Sequence, residues 1–207
     1  AVALCLIAYL RYFFLFIPLT TVLLVLLFAI EITRPSNNSI RNVSGALFAY
    51  LYIGGLLSFM IALRELPLQL QLDYRVGGEW LVLLLLAIWI CDSAAYFVGS
   101  RFGKRKLAPN VSPNKTIEGA LGGVAGGVLT VWGCQLTFAS SLSTVDVLVI
   151  GLIVGIFGQA SDLIESLLKR DAGVKDTSTL LPGHGGVLDR FDSEMLVMPA
   201  VYFYFLL

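Results

Sequence analysis

Five long runs of apolar residues are the feature that most limits what this chain can fold into. Each approaches or exceeds the roughly 20 residues that a helix needs to cross the hydrocarbon core of a bilayer. The predicted spans are 12–30, 43–63, 79–100, 118–140 and 145–168. Two shorter runs, 1–10 and 194–207, are predicted to be partial transmembrane helices. We therefore expect an all-α, polytopic integral membrane protein, a helical bundle with five full and two partial transmembrane helices.

Composition supports the same fold class. Hydrophobic residues make up 57% of the chain and charged residues 14%, whereas ordinary soluble domains carry about 25% charged residues. The formal net charge is zero, and nothing in the sequence indicates nucleic acid as a partner. We divide the chain into N-terminal membrane helices at 1–78 and C-terminal membrane helices at 79–207.

The basic residues are distributed unequally between the two sides of the predicted bundle. Alternate loops lie on opposite sides, and one side holds 11 of the 14 Lys and Arg residues whereas the other holds 3. The 11 are Arg34, Arg41, Arg101, Lys104, Arg105, Lys106, Lys115, Lys169, Arg170, Lys175 and Arg190, and the 3 are Arg11, Arg64 and Arg75. Because loops rich in Lys and Arg remain in the cytoplasm, we predict that loops 101–117 and 169–193 both face the cytoplasm.

Polar residues are concentrated at 161–192, which contains six acids, four bases and the single histidine. Asp162 and Glu165 share a helix face, and Lys169 follows Glu165 at the i+4 spacing of a helical ion pair. The glycines after Pro182 allow backbone N–H groups to approach an anion closely. Carboxylates are ligands of hard cations, and lysines and arginines bind phosphate oxygens. The stretch therefore predicts a metal–polyphosphate site.

A second polar group begins inside the third predicted span. Asp92 is an acid in an apolar segment, where it is costly and therefore a functional candidate, and Tyr96 lies one turn further on the same face. The following loop contains Ser112-Pro113-Asn114-Lys115-Thr116 and then Glu118. A Ser-Pro turn followed by Lys-Thr can present a hydroxyl, backbone amides and an ammonium group to phosphates. Glu118 suits the N-terminus of the next helix.

Both groups resemble the signatures of the phosphatidate cytidylyltransferases, the CDP-diacylglycerol synthases. The C-terminal match consists of Ser166-x-x-Lys169-Arg170, Lys175-Asp176, His184-Gly185-Gly186 and Asp189-Arg190-x-Asp192, over about 27 positions at fixed spacing. The earlier match consists of Asp92-x-x-Ala95-Tyr96 and Ser112-Pro113-Asn114-Lys115-Thr116-x-Glu118-Gly119, with Asn114 where a second basic residue is common.

The resemblance implies a reaction and its surroundings. The cytidylyl group of CTP would be transferred to phosphatidate, giving CDP-diacylglycerol and pyrophosphate in phospholipid biosynthesis. The reaction would need Mg²⁺, with one or two ions, at the cytoplasmic face of a bacterial inner membrane. The resemblance also implies a homodimer surrounded by membrane lipids. It further implies that 79–207 are the catalytic membrane helices and that 1–78 are truncated at the start relative to the family.

We assign the following roles from the pattern and the resemblance together. The predicted metal ligands are Asp162 and Asp189, because the glycine turn before Asp189 can fold back towards Asp162. The catalytic candidates are Asp162, Asp189, Lys169, Arg170, Lys175 and Arg190. The predicted substrate-binding residues are Asp92, Tyr96, Ser112, Lys115, Thr116, Glu118, Asp176, His184, Gly185, Gly186 and Asp192.

Several of these residues have a second interpretation. Lys115 could serve only to set topology, and Asp92 could form a buried pair that orients helices. Asp176 could belong to an ion pair, and Asp192 could cap the helix that follows it. His184 could bind a phosphate or transfer a proton. Because a phosphate monoester is largely ionised near neutral pH, we assign His184 to substrate positioning.

Two rival functions remain open. A CTP-dependent kinase acting on a polyprenol or phytol would release CDP instead of pyrophosphate. An ion-coupled transporter would use Asp92 and the glycine-rich helices, but would leave the bases around Asp162 and Asp189 without a role. The glycines are instead expected to pack helices closely. They are Gly119, Gly122, Gly123, Gly126, Gly127, Gly151, Gly155 and Gly158.

Overall fold

The computed structural model describes residues 1–34, 37–174, 177–178, 186 and 188–207. The described helices run in the order α1 (Val2–Leu10), α2 (Phe16–Thr33), α3 (Ser39–Ala49), α4 (Leu56–Gln69), α5 (Tyr74–Phe102), α6 (Ile117–Gln135), α7 (Thr144–Ile153), α8 (Gln159–Asp171) and α9 (Glu194–Leu206). Two short strands, β1 (Lys106–Ala108) and β2 (Ser112–Thr116), separate α5 from α6. Single 3₁₀ turns at Phe13–Leu15 and Leu188–Arg190 precede α2 and α9.

The helices confirm the predicted fold class. Five continuous helical segments are long and apolar enough to cross a membrane: Phe13–Thr33, Ser39–Gln69, Tyr74–Phe102, Ile117–Gln135 and Thr144–Asp171. α1 and α9 are the two shorter apolar helices that the sequence predicts at either end. The chain is therefore a helical membrane protein.

The predicted loop 64–78 is much shorter than expected. α4 continues through Pro67 to Gln69, and α5 already begins at Tyr74. The side chain of Asp73 accepts a hydrogen bond from the backbone N–H of Arg75 at 2.8 Å, which caps the start of α5. Charged residues near the helix ends are thus part of the helices.

Loop 101–117 is also more ordered than predicted, because it contains an antiparallel hairpin. Lys106 lies opposite Thr116, and Ala108 lies opposite Ser112, with an irregularity between the two pairs. The carboxylate of Glu118 accepts hydrogen bonds from the backbone N–H groups of Lys104 at 3.0 Å and Arg105 at 3.2 Å. These bonds fasten the hairpin to the first turn of α6.

Two of the spans contain a turn of π-helix. One is Tyr50–Gly55, between α3 and α4, and the other is Val154–Gly158, between α7 and α8. A π turn inserts an extra residue and changes the direction of the side chains that follow, and such turns are frequent at functional sites. The second π turn ends immediately before Gln159, at the start of the polar part of the chain.

α5 and α6 pack closely through small residues, as the glycine pattern predicts. A Cβ atom on Gly119 would lie 2.7 Å from the carbonyl oxygen of Ala95 and 3.0 Å from the Cα atom of Gly99. On the opposite side of α6, Cβ atoms on Gly151 and Gly155 would lie 2.6 Å from backbone atoms of α6. The missing side chains therefore let three helices approach at backbone distance.

Candidate active site

The site is a cavity of about 700 Å³ between the end of α5, the hairpin, the start of α6 and the start of α8. Five of the predicted site residues line it, namely Asp92, Tyr96, Lys115, Thr116 and Asp162. These residues come from distant parts of the sequence. The fold therefore brings the two predicted polar groups into one cavity.

An ion pair between Lys115 and Asp162 forms part of the cavity wall. The ammonium group of Lys115 contacts Oδ2 of Asp162, and both side chains are about one-quarter exposed. The other oxygen of Asp162 accepts a longer hydrogen bond, at 3.4 Å, from the hydroxyl group of Ser166. The pair joins the hairpin to α8.

Asp92 and Asp192 are two further carboxylates close to Asp162. The hydroxyl of Ser193 donates to Asp92 at 3.5 Å, and Asp92 lies close enough to Asp162 and Asp192 for their charges to repel. Burial raises the pKa of Asp192, and the charge of Asp162 adds to this rise. Asp92 and Asp162 thus share the field of Lys115, whereas Asp192 lies in the field of Lys169.

Asp189 belongs to a neighbouring cluster around Lys169. It accepts hydrogen bonds from the ammonium of Lys169 at 2.9 Å, the hydroxyl of Thr177 at 2.8 Å and the backbone N–H of Gly186 at 2.6 Å. Burial acts to raise the pKa of Asp189, but these donors outweigh it and hold the pKa well below the usual range of an aspartate. Asp189 is therefore ionised throughout the neutral range.

Lys169 also makes the predicted helical ion pair. Its ammonium lies 3.3 Å from Oε2 of Glu165, a residue that is 1% exposed. Lys169 therefore bridges two carboxylates, one on its own helix and one after the glycine loop.

Arg170 connects the two predicted loops directly. Its Nε donates a hydrogen bond to the carbonyl oxygen of Val111 at the tip of the hairpin. Arg190 lies in the 3₁₀ turn that leads to α9. The basic residues of α8 and of the hairpin therefore occupy the same end of the bundle.

Other predicted site residues bond to the backbone, lie outside the cavity wall or fall outside the described residues. The hydroxyl of Thr116 accepts a hydrogen bond from the N–H of Gly119 at 3.1 Å and caps α6. Ser112 lies in β2, and neither Ser112 nor Glu118 is part of the cavity wall in the described chain. Lys175, Asp176, His184 and Gly185 lie outside the described residues.

Sequence reasoning did not assign four polar residues of the cavity wall to the site, namely Ser100, Lys106, Asn114 and Gln159. Gln159 had a visible signal, because an amide inside the apolar run 145–168 is nearly as unusual as Asp92. Lys106 had no signal beyond its charge, since only the register of the hairpin places it beside Thr116.

No three His, Cys, Asp or Glu side chains come together as a ready metal centre within the described ranges. The two predicted metal ligands, Asp162 and Asp189, contact different lysines. Their joint role in binding a metal stays a prediction.

Comparison with known proteins agrees with the site. The sequence profile of the Cytidylyltransferase family matches residues 1–207. The phosphatidate cytidylyltransferase of Bacillus subtilis (strain 168) is 43% identical over 155 residues, which are 75% of this chain and 55% of that protein. That of Staphylococcus epidermidis (strain ATCC 12228 / FDA PCI 1200) is 43% identical over 123 residues, 59% of this chain and 47% of its own.

A third relative, the YnbB protein of Escherichia coli (strain K12), is 40% identical over 199 residues, 94% of this chain and 63% of its own. The chain thus spans roughly half to two-thirds of the length of these curated relatives. The match of the family profile extends over every residue of the sequence. With its polar cavity between glycine-packed helices, this membrane protein belongs to the cytidylyltransferase family.

Proposed function

We propose that this protein transfers the cytidylyl group of CTP to phosphatidate, forming CDP-diacylglycerol and pyrophosphate. The observation that carries the proposal is the cavity in which Lys115, Asp162 and Asp92 converge. The names of the relatives in Bacillus and Staphylococcus support the choice of substrates.

The reaction is an in-line displacement at the α-phosphorus of CTP. A phosphate oxygen of phosphatidate forms the new P–O bond, the bond between the α-phosphorus and its bridging oxygen breaks, and pyrophosphate leaves with that electron pair. Negative charge grows on the transferring group and on the leaving group. Preorganised cations at such positions lower the barrier in phosphoryl transfer.

In the proposed reaction, lysines and arginines of the chain stabilise that charge. Lys106 and Lys115 line the cavity, and Lys169 and Arg170 lie in the adjoining part of α8. Lys115 pairs with Asp162, so it is held in the cavity before substrate arrives. Lys175 and Arg190 extend the same basic group along the sequence.

The carboxylates fit the chemistry of Mg²⁺. Mg²⁺ binds hard oxygen ligands and is usually held by one or two carboxylates together with substrate phosphates. Asp162 already pairs with one cation, the ammonium group of Lys115, so its carboxylate lies where positive charge is bound. We propose that Asp162 and Asp189 hold Mg²⁺, whose role when bound is to neutralise phosphate charge.

We also propose that the cavity faces the cytoplasm of a bacterial inner membrane, where CTP is present. The support is the distribution of 11 and 3 basic residues between the two sides of the bundle. Phosphatidate would enter from the cytoplasmic leaflet, with its acyl chains remaining in the bilayer. The homodimer implied by the resemblance remains a proposal as well.

The direct test is pyrophosphate release by purified protein in detergent–lipid micelles. We expect release that requires CTP, phosphatidate and Mg²⁺ together, and that is lost when ATP replaces CTP. CDP formation with a polyprenol would contradict the proposal and identify the kinase. Solute flux in sealed vesicles without nucleotide turnover would identify a transporter.

A further inference from the structure

Gln159 is a buried polar residue of the cavity wall with no role so far. It is 8% exposed and opens α8 directly after the π turn Val154–Gly158. It lines the cavity together with Asp92 and Asp162. An amide at such a position needs hydrogen-bond partners, because burying it without them is costly.

The amide nitrogen of Gln159 has its partners within the protein. Nε2 donates to the carbonyl oxygen of Gly155 at 2.6 Å and to that of Ala120 at 3.0 Å. A glutamine amide has two N–H donors, so both are used. Rotating the amide by 180° would place Oε1 against two carbonyl oxygens, and the orientation is therefore fixed.

The carbonyl oxygen of the same amide is left for a ligand. Oε1 has no hydrogen-bond partner in the described chain, and it is not among the buried atoms sealed from solvent. Because Nε2 is held on the protein side, Oε1 is presented to the cavity as an acceptor only. It can bind a donor group and repels an acceptor.

The neighbourhood of Gln159 has room for a flat ring. Ala95, Gly119 and Ala120 bound the cavity beside it, and their side chains are no larger than a methyl group. A Cβ atom on Gly123 would lie 3.1 Å from Nε2 of Gln159. The glycine therefore lets the amide sit against α6, and the small side chains beside it leave that part of the cavity free for a flat ring.

We propose that Oε1 of Gln159 accepts a hydrogen bond from the exocyclic amino group of cytosine and thereby selects CTP over UTP. The inference rests on the proposed function. Uracil carries an oxygen where cytosine carries the amino group, so UTP would bring two acceptors together. The phosphate groups of CTP are also acceptors, so we expect them to bind the lysines of the cavity and not Oε1 of Gln159.

The ribose hydroxyls are less suited to this atom. A hydroxyl can donate or accept, so a fixed acceptor gains no discrimination from it. The amino group of cytosine can only donate. A ribose contact and an amino contact thus predict different substrate preferences, and experiment can separate them.

The test compares Gln159→Met with the unmodified protein, using CTP, UTP, dCTP and a CTP analogue that has hydrogen in place of the amino group. Methionine keeps the length and burial of glutamine but lacks the acceptor. Rates of pyrophosphate release with phosphatidate give kcat/KM, and equilibrium dialysis without lipid gives nucleotide affinity. Gln135→Met is the matched control, since Gln135 also donates to a backbone carbonyl, that of Leu142 at 2.9 Å, but lies outside the cavity.

We expect the unmodified protein and the Gln135→Met control to prefer CTP over UTP and over the analogue by roughly ten- to a hundredfold, the range of an unmade buried hydrogen bond. In Gln159→Met this preference should fall towards unity while the ratio of CTP to dCTP stays constant. Equal losses for CTP and UTP would overturn the proposal and make Gln159 structural. A changed CTP-to-dCTP ratio would also overturn it in favour of a ribose contact.

Two features keep the test decisive. If Gln159→Met does not fold, the analogue still tests the unmodified protein, and equal affinity for CTP and the analogue overturns the inference. If the unmodified protein releases no pyrophosphate but binds CTP over UTP through Gln159, the proposed reaction fails and the base contact stands.

Discussion

The two halves of α5 contact their neighbours in different ways. The half that follows Asp73 buries large side chains, including Trp80, Leu83 and Leu84, against α4 and α9. Trp80 stacks on Phe205 with ring centroids 4.0 Å apart. We call this half the core half.

The half that precedes Gly103 packs through small residues. Ala94, Ala95 and Gly99 face the glycines of α6 at distances that leave no space for a Cβ atom. The same half carries Asp92 and Tyr96 into the cavity. We call it the site half.

The difference shows how one helix serves stability and binding separately. Large apolar side chains fill space and tolerate exchange for others of similar volume. Where two helix backbones are in contact, a small residue can hardly be replaced by a larger one. Such contact holds the two helices rigidly, while a cavity is left where they diverge. Substitutions in the two halves should therefore have different consequences.

The largest expected effect is a loss of activity without a loss of stability, and it follows from replacing Asp162, whose carboxylate faces the site half of α5. Asp162→Asn should lower kcat/KM for pyrophosphate release by about a thousandfold, because the electrostatic partner of Lys115 and proposed metal ligand is lost. Asp171→Asn is the matched control at the exposed end of the same helix. Activity within threefold of the control, about 0.7 kcal/mol, would contradict the assignment of Asp162.

A smaller effect on both activity and stability is expected where the site half touches α6. Gly119→Ala places a Cβ atom 2.7 Å from the carbonyl oxygen of Ala95, so the helices must separate. We expect a loss of about 1–3 kcal/mol in stability and a clear fall in turnover. Gly133→Ala is the control on α6, because a Cβ atom there has no neighbour within 4 Å.

Thermal unfolding in detergent and pyrophosphate release would both be measured for this pair. If Gly119→Ala behaves like Gly133→Ala, close approach of the two helices is not needed for the site.

In the core half the expected effect is on stability alone. Leu83 is 1% exposed, and Leu83→Ala should leave a void that lowers stability by about 2 kcal/mol. The KM values for CTP and phosphatidate should stay unchanged, because Leu83 is not part of the cavity wall. Thermal unfolding and steady-state kinetics of the folded fraction check this, and an altered KM would show that the two halves are coupled.

The smallest effect concerns the pH dependence of stability at Asp192. Its pKa is raised in the folded protein by burial, so the ionised form is disfavoured there relative to the unfolded chain. The resulting loss of stability is present above the folded pKa and is relieved as the pH falls through it. Asp192→Asn should therefore be less sensitive to pH than the unmodified protein in thermal unfolding as the pH falls from neutral to the ordinary pKa of an aspartate, about 3.9. Parallel curves for the two proteins would contradict the raised pKa.

The transmembrane helices could be predicted from sequence because bilayer thickness fixes how long an apolar helix must be. The helix ends could not. Arg64 and Glu65 indicated an exit from the membrane, but Arg64 stacks on the ring of Tyr74 at 3.7 Å and Glu65 accepts from its hydroxyl at 2.7 Å. Such local partners allow charges to remain in a helix, and they are visible only in three dimensions.

The members of the site were predictable, but their pairing was not. Lys115 and Asp162 were selected by residue type and resemblance, and their contact depends on the hairpin folding towards α8. The hairpin itself has strands too short to show alternation, and β2 contains Pro113. The cavity role of Gln159 depends on the π turn before it, for which the sequence gives no pattern.

The most direct measurement of the central claim follows the phosphorus atoms of CTP. Purified protein would be incubated with phosphatidate and Mg²⁺ and with CTP labelled at either the α- or the γ-phosphorus. We expect the α label to appear in the lipid product and the γ label in pyrophosphate, and Asp162→Asn to slow both by about a thousandfold. Transfer of the γ label to lipid, or no transfer of the α label, would contradict this expectation.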